Sequence, residues 1–152
     1  MTAPSAAGYA RALQMHRAAL MELYDQLPDE QANFAAWEGG MSFVGLADHL
    51  STSGDRMLAM LQGQAPTPGV STSPDLPAAR QRLRESTGAA MNAIQTLSDE
   101  DLARRVPAFG GRELPVHVLI DMMVSHEAHH KGQVWMMARM IGIKPPMFVK
   151  MG

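Results

Sequence analysis

Residues 115–142 read PVHVLIDMMVSHEAHHKGQVWMMARMIG, and the spacing of their side chains decides the fold. Leu119, Met123, His126, His130, Gln133, Met137 and Met140 follow one another in alternating steps of four and three. That repeat gathers side chains on one face of an α-helix. Pro115 suits the start of such a helix, and Gly142 with Pro145-Pro146 beyond it suits the end.

The same repeat recurs upstream. From about Ala6 to Leu27 the inward stripe is Tyr9, Leu13, His16, Leu20, Leu23 and Leu27, closed by Pro28. A second helix is expected from Ser42, as N-cap, to Leu61, with Leu46, Leu50, Met57 and Met60 or Leu61 inward. A third is expected to open at Ser73-Pro74 and run to about Leu97, with Arg80, Arg82, Arg84 and Glu85 on its polar face. Ser98-Asp99-Glu100-Asp101 resembles a capping box that can start a short extra helix, and Phe109-Gly110-Gly111-Arg112 reads as a turn. Four amphipathic segments without repeats or strong period-two runs predict an all-α fold. The connections 28–41 and 62–72 are long enough to cross a bundle. A chain of 152 residues has the usual size of one domain, so residues 1–152 are expected to form a single bundle.

Composition narrows the function. Hydrophobic residues make up 46% and the formal net charge is -2, with no block of like charge. Nucleic acid and anionic membrane surfaces are therefore not expected partners, since both call for a basic patch. Neither a leader-like apolar run nor a stretch of about 18 apolar residues occurs, which points to a cytoplasmic protein. Cysteine is absent, excluding disulfides, thiolate ligands and a cysteine nucleophile.

Six histidines carry the chemistry: His16, His49, His117, His126, His129 and His130. His126 and His130 lie one turn apart on the apolar stripe, a spacing that suits two imidazoles on one metal ion. Spacing alone equally allows a seam of hydrogen-bonded histidines. His49 neighbours the inward Leu46 and Leu50, and reads either as a satisfied core residue or as a third ligand. His16 is open to a place in the same pocket or to an ordinary half-buried role. His129, about 100° around the helix from His130, should face a neighbour or an interface, and His117 should be solvated near the helix start.

His126-Glu127-Ala128-His129-His130 matches the His-Glu-x-x-His signature of zincin hydrolases, with Glu127 as the would-be base. That match is short, and neither an upstream strand nor a third ligand downstream accompanies it. A larger pattern covers nearly the whole chain, from about Tyr9 to Met147. It comprises Ser42-Phe43-Val44-Gly45-Leu46-Ala47-Asp48-His49, the run from His126 through Lys131-Gly132 to Gln133, and the tail Gly142-Ile143-Lys144-Pro145-Pro146. In these motifs the sequence resembles the DinB-like (DinB/YfiT) family of metal-binding four-helix bundles. The resemblance implies an up-down-down-up bundle with long crossover connections, and a divalent metal, nickel or zinc, on His49, His126 and His130. It also implies a homodimer, for which Ala128, Gly132 and Met136 offer a surface. Characterised members of that family include transferases and isomerases that use a low-molecular-weight thiol such as mycothiol, bacillithiol or glutathione.

The expected function is accordingly that of a metal-dependent enzyme acting on a small molecule, a thiol-dependent transferase in the first instance. The alternative is a non-catalytic, stress-linked metal-binding or interaction bundle. With no cysteine in the chain, a thiolate must come from a cofactor or substrate. Gln133 is a candidate to bond a metal-bound ligand, and Glu127 a weaker candidate for base, for support of a ligand or for surface pairing. Trp37 is open to lining the pocket mouth or capping the core. The 14 methionines read as core filler along the stripes.

Overall fold

The computed structural model describes residues 4–66, 68–69 and 71–152. Its long helices are α1 (Ala6–Gln26), α2 (Phe43–Leu61), α3 (Leu76–Gln95) and α5 (Val116–Met140), with a short α4 (Asp99–Ala103) before the last. The helix ends have local causes. Side-chain oxygens of Ser5, Ser42, Asp75 and Ser98 each accept the backbone N–H three residues on, satisfying donors that the first helical turn leaves open. Ser98 and Asp101 complete the capping box at α4. At the end of α5, Gly142 takes a left-handed φ of 83°. Its N–H donates to the Arg139 carbonyl while that of Ile143 reaches Ala138, a Schellman ending.

The third helix departs from expectation at its start. Asp75, not Ser73, is the cap, and Pro77 lies in the first turn. Ser73 is committed elsewhere: its backbone N–H and its hydroxyl both donate to the Asp48 carboxylate of α2. Arg82 closes on the same carboxylate at 2.7 Å, so one buried aspartate ties α2, α3 and the loop between them. Arg80 also leaves the solvated face, donating to the Tyr24 and Leu27 carbonyls at the open end of α1.

Helices α1 and α2 each pack against α3 and α5, so long helices joined by the first and third connections stand on diagonals. Tyr9 and Leu13 share a cluster with Val116 and Leu119, and Leu20 and Leu23 with Val134 and Met137, which makes α1 and α5 parallel. Helix α2 runs the other way, placing Leu61 near Leu119 and Leu46 near Val134. The Ser86 hydroxyl donates to the Ser51 carbonyl and Arg82 meets Asp48, so α3 runs with α2. The bundle is up-down-down-up.

A two-stranded antiparallel hairpin, β1 (Arg105–Pro107) and β2 (Glu113–Pro115), was not among the expected elements. Strands of three residues are too short to display an alternation. The turn expected at 109–112 sits at its tip, with Gly110 and Gly111 at positive φ. Met140, on the expected inward stripe, is exposed, because the helix has run past its packed partners and Ile141 and Ile143 cover the core there instead. No described helix is long and apolar enough to cross a membrane.

Two apolar clusters fill the bundle, one built around Leu13, Ile94 and Leu119, the other around Leu23, Phe43 and Leu83. Between them lies a polar belt. It holds Arg17 from α1, Ser51 from α2, Ser86 and Thr87 from α3, and Glu127 and His130 from α5, all buried.

Candidate metal centre

The belt opens onto the seam between α2 and α5, where the three histidines meet. Ser42 fixes the start of α2 and thereby the phase that turns His49 toward α5. His126 and His130, one turn apart, face back. The Nε2 atom of His49 lies 3.0 Å from that of His126 and 3.1 Å from that of His130. Among the described residues this is the group of donors that could hold an ion, with all three ligand atoms within 4.8 Å of one another.

Two tests show that the donor set fits a cation. Nitrogens bound at about 2.0–2.1 Å to one ion must stand about 2.9–3.4 Å apart for angles between square and tetrahedral, and both separations from His49 Nε2 fall in that range. The second test is proton supply. His130 Nδ1 lies 2.7 Å from the Gln133 Oε1, which accepts its N–H and leaves Nε2 as a bare lone pair. His49 can donate one Nε2 proton to one neighbour only. Three neutral rings therefore cannot satisfy one another, whereas a cation satisfies all three. Burial first, then the neighbouring His130 ring, holds the pKa of His49 and of His126 below the ordinary histidine value, favouring the neutral form that binds metal.

The other candidates fall into place around this group. Gln133 is not a free ligand of the pocket; it orients His130. Glu127, open to surface pairing from sequence, is 2% exposed and held by both oxygens: Arg17 Nε donates to Oε1 at 2.7 Å and Nη2 to Oε2 at 2.9 Å. Arg17 Nη1 also donates to the Thr87 hydroxyl. A carboxylate so engaged is not available as a base. His16 stays outside the triad, its Nδ1 bonded to the buried Lys131 Nζ at 2.9 Å, and Lys131 also donates to the Phe148 carbonyl. Burial and the Lys131 charge lower the His16 pKa. His129 is exposed, its ring centroid 4.8 Å from that of His130. His117 is half-buried near the start of α5, bordering a surface hollow beside α4, away from the triad. Trp37, 61% exposed, does not cap the core; it borders a surface hollow with His129 and Gln133.

Sequence reading missed Arg17 as a belt residue, although the signal was present. It lies four residues after Leu13 and three before Leu20, on the buried face of α1. Also missed was a cavity of about 260 Å³ beside His126, walled by Leu50, Met57, Met60 and Met123, with Arg56 and Phe109 at its edge.

The comparisons bear on the family and the fold. The model of the DinB superfamily matches residues 12–134. No curated protein matches the chain in sequence. Among solved structures, the fold is similar to a DinB-like protein from Bacillus subtilis, with a TM-score of 0.79 and 22% identity over 95% of this chain and 99% of that one. A DinB-like protein from Bacillus cereus superposes with a TM-score of 0.80 and 21% identity, covering 92% and 95% of the two chains. YfiT from Bacillus subtilis, described as a probable metal-dependent hydrolase with an unusual four-helix bundle topology, gives 0.72 and 19% over 91% and 89%. The chain belongs to the DinB superfamily.

Proposed function

We propose that this protein is a metal-dependent enzyme that acts on a small molecule, as a transferase using a low-molecular-weight thiol. The observation that carries the reading is the convergence of three Nε2 atoms, from His49, His126 and His130, beside a cavity of small-molecule size. Nickel or zinc suits three imidazoles. A divalent ion held by three neutral imidazoles supplies a Lewis acid that lowers the pKa of a thiol or a water in reach. The chain's own residues do the rest. Gln133 holds the His130 ring in the tautomer that presents Nε2, and the apolar cavity excludes water from a bound substrate. Because the chain has no cysteine, the thiol is external.

YfiT's description as a probable metal-dependent hydrolase supports metal dependence and offers hydrolysis as a second reading. A zincin-type mechanism would need Glu127 as base, and Arg17 occupies both of its oxygens. We place the protein in the cytoplasm, where low-molecular-weight thiols are reduced, and as a homodimer through the outer face of α5 around Gly132 and Met136.

The test has two arms. Metal content after dialysis should fall sharply in His49→Ala, His126→Ala and His130→Ala and hold in His117→Ala. Mycothiol, bacillithiol or glutathione should then shift the optical spectrum of cobalt-loaded protein. Metal without any thiol-dependent shift would favour the non-catalytic, stress-linked bundle, and wild-type metal in His49→Ala would overturn the ligand assignment.

A further inference from the structure

The cavity beside His126 is apolar on nearly every side. Leu50 and four methionines (Met57, Met60, Met122 and Met123) supply its walls, and methionine walls adjust to ligands of differing outline. The charges at its floor are spent on each other, since Arg17 and Glu127 form a bidentate pair. Its edge is different. Arg56 is exposed, and among the described residues it makes no ion pair. Arg56, Met60 and Phe109 also border a second hollow of about 470 Å³ under the β1–β2 hairpin, so the guanidinium stands where the inner cavity meets the outer one. Phe109 at this passage is more than half exposed, an apolar surface facing solvent.

We propose that this cavity binds a small amphipathic monoanion. Its apolar body lies among the methionines with the far end toward His126, and its carboxylate rests on Arg56 at the mouth. A neutral apolar molecule would leave the one unpaired charge unused, and a dianion would carry a second charge past Arg56 to a lining whose other cation, Arg17, is already paired with Glu127. The orientation directs the end opposite the carboxylate to the histidines. The proposal rests on the reading of the triad as a reaction centre, and names the substrate class for it.

Methionine-methyl NMR tests the proposal, with ¹³C-methyl methionine in the full-length protein. Hexanoate and hexan-1-ol are the probes, titrated into metal-free and zinc-loaded samples whose zinc is measured by elemental analysis. Hexanoate should shift the methyls of Met57, Met60, Met122 and Met123 saturably in both samples. It should bind roughly three- to tenfold tighter than hexan-1-ol, the range expected for a partly exposed charged contact. Arg56→Met should abolish that preference while both probes still reach the same methyls, and Arg56→Lys should keep part of it. Equal binding of the two probes to the wild type would overturn the proposal. So would a preference that survives Arg56→Met, or one that appears only with zinc, which would put the carboxylate on the ion. Loss of zinc from a protein that still prefers hexanoate would sink the metal reading and leave the anion site standing.

Discussion

Gln133 acts through a single hydrogen bond. Its carbonyl fixes which nitrogen of His130 carries the proton, and a ligand without such a partner rotates and shifts tautomer. Gln133→Leu should therefore lower metal affinity about 10- to 100-fold with little change in helicity, as read by competition with a chelator and by circular dichroism. Proton competition acts on the same atoms. His49 and His126 have folded-state pKa values below the ordinary 6.5, so as pH falls the unfolded chain takes up protons before the folded one does. The stability these two rings contribute is present above about pH 6.5, falls as pH drops below it, and levels off once the folded rings also protonate. Urea midpoints of metal-free protein should drop between pH 7.5 and 5, and the slope should flatten in the His49→Ala, His126→Ala double variant.

At the level of elements, the Arg17–Glu127 pair joins α1 to α5 at the height of the histidines. With both side chains almost wholly buried, Arg17→Met alone strands a carboxylate and should cost about 3–5 kcal/mol in urea unfolding. The double change Arg17→Met, Glu127→Leu removes both charges and should recover most of that loss. A double variant no more stable than the single one would mean that the pair does more than neutralise itself. Helices α1 and α5 were legible in the sequence because their stripes keep phase over about five turns or more, and spacing put His126 and His130 on one such face, while the third ligand, His49, came from the family resemblance and not from spacing. The hairpin was not legible, for three-residue strands leave no period. Nor was the α3 cap, because Ser73 and Asp75 are both good caps and only the tertiary pull of Asp48 on Ser73 chooses between them. The place of Arg17 on the α1 stripe signals its burial, but its partner lies 110 residues away, so no local pattern announces the ion pair.

For the whole molecule, the outer side of α5 exposes Met136 and Met140, with Trp37 standing nearby across from Met136. If this surface joins two copies, light scattering should give a dimer at micromolar concentration, and Met136→Glu should return it to monomer. A wild-type monomer at that concentration would exclude the homodimer. The diagonal connections have a consequence for how the chain reaches this state. An ordinary up-down bundle can zip its first two helices into a hairpin while the rest is still being made. Here α1 and α2 do not form such a pair, and α1 finds its neighbours only when α3 and α5 exist. Its packing partners are therefore distant in sequence, and such topologies fold more slowly than chains rich in local contacts. On the ribosome, the apolar stripe of α1 emerges before the helices that cover it, and stays open until α3 and α5 have followed.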